Sequence, residues 1–167
     1  MTRPSFFLFL LFLLAFATPS PATDSKADPT EPIDIVSDRL EADDAARQIR
    51  FLGHVVAKQG EVTLHAREMT VFLQAEGREI DRIEALGEVR ILQGERVATG
   101  EKGIFSNRER KITLTGAPQV HQGKDVVTGD EIVVFLNEEK SIVKSGDGNR
   151  VRAIFHPKDK NASGGQP

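Results

Sequence analysis

Gly53-His-Val-Val-Ala-Lys-Gln-Gly60 recurs in outline as Gly87-Glu-Val-Arg-Ile-Leu-Gln-Gly94 and Gly116-Ala-Pro-Gln-Val-His-Gln-Gly123, each copy a Gly-x₆-Gly that ends in Gln-Gly. The copies begin 34 and 29 residues apart, the period of one small supersecondary unit used repeatedly. Beyond the second glycine the likeness continues. A small residue (Ala66, Gly100, Gly129) is followed by a charged one (Arg67, Glu101, Asp130) and then by an apolar run ending in Phe72, Phe105 or Phe135. Ile33-Asp-Ile-Val-Ser-Asp38 reads as the second half of a further unit.

Working outward from the first glycine in steps of two gives Ile49, Phe51, Val55 and Ala57 in one copy. The second copy gives Ile83, Ala85, Val89 and Ile91, and the third Ile112, Leu114, Pro118 and Val120. Residues between them, such as Arg50, His54, Lys58, Arg82, Glu84, Arg90, Thr113 and His121, are polar. This period of two predicts half-buried strands, bulged or kinked at the central glycine. Turn chemistry at Asp43-Asp44, Gln59-Gly60, Glu76-Gly77, Gln93-Gly94, Asn107–Arg110, Gln122-Gly123, Asn137–Lys140 and Gly146–Gly148 separates ten to twelve short strands. No segment keeps a helical apolar stripe. In Glu61 to Leu73 the apolar set moves from Val62, Leu64 and Ala66 to Met69, Val71 and Leu73, so facing switches near Arg67-Glu68. A strand that switches face turns a corner from one sheet to another. The expected fold is all-β, a repetitive antiparallel jelly roll built as an open trough or sandwich of two facing sheets.

At the N-terminus, Arg3, the apolar run Phe6–Ala17 and small residues at Ala15-Phe-Ala17 or Ser20-Pro-Ala22 read as a secretory signal peptide over residues 1–22. Twelve apolar residues fall short of the ~20 that span a bilayer; an uncleaved anchor is the alternative. Residues 23–32 read as a flexible leader, 33–155 as one domain and 156–167 as a disordered tail. The chain has no cysteine, which excludes a disulfide or a lipid-bearing Cys. The 22 basic and 25 acidic residues are interspersed, which argues against a nucleic-acid surface. Trp and Tyr are absent, so the aromatic faces with a polar handle that suit sugar sites are missing. His54, His65, His121 and His156 form no metal-ligand spacing, and no nucleophile with an orienting base is present. Neither a metal, a cofactor nor an enzymatic activity is expected.

Three segments together carry a family resemblance: Ile33-Asp-Ile-Val-Ser-Asp-Arg-Leu-Glu-Ala-Asp43, Phe51-Leu-Gly-His-Val-Val-Ala-Lys-Gln-Gly60 and Leu64-His-Ala-Arg-Glu-Met-Thr-Val-Phe72. They resemble the OstA/LptA family of periplasmic lipopolysaccharide-transport proteins over most of 33–155. The resemblance implies a groove for the acyl chains of lipopolysaccharide (the lipid A moiety). It also implies head-to-tail joining through edge strands, with copies of the chain and with LptC-like inner-membrane and LptD-like outer-membrane jelly-roll domains. Exposing a twelve-carbon chain to water costs on the order of 10 kcal/mol, so such a carrier needs a continuous apolar lining. Candidates are Ile49, Phe51, Val55, Phe72, Ile83, Val89, Ile91, Phe105, Ile112, Leu114, Val120 and Phe135; the alternative is that they simply pack together as a core.

The terminal segments near Ile33–Leu40 and Val151–Phe155 are expected sheet edges, open to strand addition or covered by the leader and tail. Lys58, Arg67, Arg90, Arg96, Lys102 and Arg110 either meet lipid phosphates or form solvated faces. Two further readings stand beside the carrier: an LptC-like membrane-anchored subunit of the same pathway, and a polysaccharide-binding or structural β-repeat module.

Overall fold

The computed structural model describes residues 31–77, 79–136, 138, 140–146 and 148–157. The proposed signal peptide, most of the leader and the tail beyond residue 157 lie outside them. Twelve strands follow in order: β1 (Asp34–Val36), β2 (Arg39–Asp43), β3 (Gln48–Gln59), β4 (Val62–Leu73), β5 (Ile80–Gln93), β6 (Arg96–Ser106), β7 (Lys111–Thr115), β8 (Gln119–Gln122), β9 (Asp125–Thr128), β10 (Glu131–Phe135), β11 (Lys140–Lys144) and β12 (Arg152–Ile154). All pairings are antiparallel. The expectation of uniformly short strands is corrected: β3 to β6 run 11 to 14 residues each, because they pass through the corner without a break.

That passage makes two walls from one sheet. Residues 48–52 of β3 pair with β2, whereas 56–58 pair with β1. Likewise 102–106 of β6 pair with β7, and 96–99 with β8. The first wall therefore runs β2-β3-β4-β5-β6-β7-β10-β11, and the second β1-β3-β4-β5-β6-β8-β9-β12. Each is eight strands wide, about 34 Å at ~4.8 Å per strand.

The corner is built the same way in each repeat. Register slips by one residue between Leu52 and Val55 of β3 and between Leu86 and Val89 of β5. Gly53-His54, Gly87-Glu88 and Gly116-Ala117 each carry two consecutive positive φ angles, the turn of a bulge that glycine opens. β4 and β6 cross the same line by switching face, with Ala66 inward and then Met69, and Ala98 inward and then Phe105. The charged residue of each repeat lies over the glycine of the next segment. Asp38 packs over Gly53, Arg67 over Gly87 and Glu101 over Gly116, with Asp38 N–H donating to Gly53 O and Glu101 N–H to Gly116 O. Asp130 opposite Gly146 completes a fourth copy, its carboxylate accepting from Gly146 N–H at 2.7 Å. The second glycine of each motif does a different job. Gly60, Gly94 and Gly123 take φ of 54 to 59° at the first position of two-residue hairpins, as a type II′ turn requires.

Facing each other across the corner, the walls bury one another's inner faces. One cluster joins Ala85, Leu114 and Ile132 of the first wall to Ala66 and Val89 of the second. A neighbouring cluster joins Phe51, Met69 and Val71 to Val55. The outer face of the first wall is polar, with Arg50 paired to Glu68 at 2.8 Å and Glu84 between Arg82 and Lys102 at 2.9 and 3.4 Å.

Candidate functional site

The register places inward residues in continuous rows that cross every strand. On the first wall one row reads Leu40, Phe51, Met69, Ala85, Gly103, Leu114, Ile132, Val143. The row beyond it, nearer the opening, reads Ala42, Ile49, Val71, Ile83, Phe105, Ile112, Val134, Ser141. The second wall answers with Ile35, Ala57, Leu64, Ile91, Ala98, Val120, Val127, Ala153. No charged residue interrupts any of the three. The result is a gutter whose floor is the corner and whose mouth lies between the free margins of the walls.

Burial grades along the depth of the gutter. Near the corner Val55, Val89 and Leu114 are each only 1 % exposed; they are packed core. Ile49, Ile83, Ile91, Phe105, Ile112 and Val120, further out, are half-buried. Of the twelve candidates read from the sequence, ten share this inward surface, six of them half-buried. Phe51, the tenth, is 8 % exposed.

Phe72 and Phe135 do not join them. Phe72 pairs with Gln48 and Arg82 and Phe135 with Lys111 and Lys140, all on the outer face. The Arg82 guanidinium lies 3.6 Å from the Phe72 ring centroid, and Lys140 Nζ lies 5.2 Å from that of Phe135, cation–π contacts on a solvated face. The physical reason is parity: with Met69, Val71 and Leu73 inward, Phe72 must point out. Met69, Val71, Ala85, Ile132 and Val134 also stand on the inner rows but were not among the twelve lining candidates, although the same alternation places them there.

Electrostatics around the gutter is arranged outside it. Glu84 is held below the usual carboxylate range, first by the Arg82 hydrogen bond and then, against the effect of burial, by Lys102. At the corner His54 Nδ1 lies 2.7 Å from Asp38 Oδ2, and that bond raises its pKa. The cations Lys58, Arg67, Arg90 and Lys102 all lie on the corner or on outward rows rather than inside. Among the described residues no group of three or more His, Cys, Asp or Glu is placed to hold a metal ion.

Residues 34–140 match the family model described as LptA/(LptD N-terminal domain) LPS transport protein. The chain belongs to this family. It is 34 % identical to an uncharacterized protein of Rhizobium meliloti (strain 1021), over 90 % of this chain and 84 % of that one. To the lipopolysaccharide export system protein LptA of Escherichia coli (strain K12) it is 26 % identical, over 93 % and 88 % of the two chains. Among solved structures, LptH of Pseudomonas aeruginosa, the LptA-homologous periplasmic component of a lipopolysaccharide transport device, superposes with a TM-score of 0.69 at 19 % identity. That superposition covers 78 % of this chain and 99 % of LptH. The shared fold is the jelly-roll-like, unclosed antiparallel sheet of the LptA family.

Proposed function

We propose that this protein is a periplasmic carrier that shelters the acyl chains of lipopolysaccharide between its two walls while the molecule passes from the inner to the outer membrane. The observation that carries the reading is the continuity of the inner rows, which run from one terminal edge of the sheet to the other without a charged residue and with Ser141 on β11 as their one polar member. A carrier that releases its cargo forward needs such a surface, spread over many modest contacts; a receptor needs one deep site.

The ends support a bridge. Among the described residues, six of the seven exposed large apolar side chains lie on or beside the terminal strands: Ile33, Val36 and Leu40 at one end and Val151, Ile154 and Phe155 at the other. Unpaired edge strands with apolar side chains are templates for another chain's strand. We therefore place self-association head to tail, and contacts with LptC-like and LptD-like domains, at β1/β2 and β11/β12. An export signal over residues 1–22 and a domain over 33–155 belong to the same reading.

The test is binding of the exported chain, residues 23–167, to lipopolysaccharide and to the same material stripped of acyl chains. Capture of the acylated form alone is expected. Equal capture of both would replace the carrier with a sugar-recognising module.

A further inference from the structure

The two ends of the sheet carry opposite charge. The first end, β1 and β2 with the corner between them (residues 34–43), holds Asp34, Asp38, Glu41 and Asp43 against the single base Arg39, a net charge of −3. The last end, β11 and β12 with their corner (residues 140–154), holds Lys140, Lys144, Arg150 and Arg152 against the single acid Asp147, a net charge of +3. Arg150 comes from an enlarged corner: seven residues separate Lys144 from Arg152, where three separate Leu52 from Val56, Leu86 from Arg90 and Thr115 from Gln119. Lys140 Nζ rests 5.2 Å from the Phe135 ring centroid, and Asp43 uses Oδ1 to accept from Ala46 N–H at 2.9 Å. That leaves the ammonium and the second carboxylate oxygen open to a partner.

The internal repeats fix how such ends would meet. Leu52, Leu86 and Thr115, each the last residue before a bulge, face Glu68, Lys102 and Glu131, each the residue after the charged corner residue of the following strand. Lys144 holds the same place on β11, since it faces Glu131 as Leu86 faces Glu68, and Arg39 is the residue after Asp38. Extending the sheet into a second copy by this rule sets Val143 opposite Leu40 of that copy, Ser141 opposite Ala42 and Lys140 opposite Asp43. On the second wall Arg152 faces Thr128 as Gln119 faces Thr99, and Gln119 in turn faces Thr128, the residue before a corner, as Val36 is. Arg152 therefore falls opposite Val36 and Ala153 opposite Ile35. The inner rows run on from chain to chain, and Leu40, 57 % exposed in the single chain, gains the neighbour that interior strands have. On the outer faces Glu41 lies diagonal to both lysines and Asp34 diagonal to Arg152, within reach of long side chains. The one like-charged pair is Lys144 with Arg39, and each already holds a carboxylate of its own chain, Glu131 at 2.7 Å and Glu41 at 2.6 Å. Two first ends or two last ends would bring like charge to like throughout.

We propose that the opposite charges of the two ends select the pairing of this chain's last end with the first end of a second copy and set a single register, with Lys140 against Asp43 and Ser141 against Ala42 of the neighbour. The proposal rests on the bridge reading and adds the residues that decide its polarity and alignment. The chain has no cysteine, so cysteines placed at two positions report on those positions alone. Exported chains carrying Ser141→Cys are mixed with chains carrying Ala42→Cys and oxidised. A 141–42 disulfide is expected to form about tenfold faster than a 141–40 disulfide with Leu40→Cys, because directly opposite Cβ atoms lie near bonding range and diagonal ones do not. It should also outpace the dimers that either variant forms with itself. Equal rates overturn the register, and dominant like-with-like dimers overturn the polarity. In parallel, light scattering should show association weakened about fivefold in Lys140→Glu and in Asp43→Lys, where an attraction becomes a repulsion, and restored in the double variant Lys140→Glu/Asp43→Lys. A double variant as weak as the single ones, or wild-type association indifferent to salt between about 0.05 and 0.5 M, refutes the charge selection. A wild-type chain that stays monomeric at every concentration removes the self-association reading and this proposal with it, whereas association with cross-links elsewhere removes only this proposal.

Discussion

Replacing Leu114 with alanine separates the side chains that hold the walls together from those that face the opening. Leu114 is 1 % exposed and stands in register between Gly103 and Ile132. A Cβ built on Gly103 would come within 3.3 Å of Leu114 Cδ2, so the leucine fills the space the glycine leaves. Hydrogen-bonded strands on either side cannot close over the gap. Losing three carbons removes ~2.4 kcal/mol of transfer free energy at ~0.8 per methylene, and the cavity adds more, for a total near 4 kcal/mol. With an unfolding entropy of ~2.1 cal/mol/K per residue over roughly 120 ordered residues, the melting temperature falls by about 15 °C.

Phe105→Ala is the comparison. Phe105 is half-buried in the outer row, so its truncation should cost about half as much stability while weakening an acyl probe more. Thermal unfolding followed by far-ultraviolet circular dichroism, with displacement of a fluorescent fatty acid at 20 °C, reads both quantities. The division into core and lining fails if Phe105→Ala destabilises as much as Leu114→Ala, or if Leu114→Ala is the variant that loses the probe while still folded.

Gly116→Ala should cost about 1–2 kcal/mol for the left-handed backbone alone, since φ is 77° and a Cβ would meet Glu101 Cβ at 2.5 Å; urea unfolding with no loss of stability would contradict the bulge. His54 has its pKa raised, chiefly by the hydrogen bond to Asp38, so its contribution is complete below the unfolded value of about 6.5 and is lost as pH rises through the higher folded value. An NMR titration should show a His54 midpoint above that of an Asp38→Asn variant, and coincident midpoints would refute the pair. Asp125 is shifted the other way, first by the His156 backbone N–H. Its contribution is present above about 3.8 and disappears as pH falls through the lower folded value, so the protection factors of β12 amides, taken relative to intrinsic exchange at each pH, should fall in acid, and constant protection would refute the contact. Phe155→Asp, at a side chain 70 % exposed, should reduce self-association in light scattering without moving the melting temperature; an unchanged molar mass distribution at high concentration would locate the joint elsewhere.

Much of the fold was legible because the walls repeat a simple alternation. Ile49, Phe51 and Val55 keep one parity through the Gly53 bulge, since the bulge inserts an extra residue just where the chain turns. The corner itself was legible in Glu61–Leu73, where Ala66 gives way to Met69. Phe72 and Phe135 were misassigned because hydrophobicity was weighed above position; a phenylalanine beneath an arginine or lysine is at home on a wet face. The fourth repeat escaped notice because Ser145-Gly146-Asp-Gly148 breaks the Gly-x₆-Gly spacing, and only the pairing of Asp130 with Gly146 restores the equivalence.

The rows also fix what travel along the gutter would feel like. Equivalent units succeed one another every two strands, about 9.6 Å, and each offers an apolar chain a similar set of partners. Advancing by one unit exchanges one set of contacts for the next, so the energy along the axis is a low, regular corrugation in which each barrier is the temporary loss of about one side-chain contact, on the order of 1 kcal/mol. On such a surface motion is diffusive and equally easy both ways, and any net direction has to be imposed at the ends.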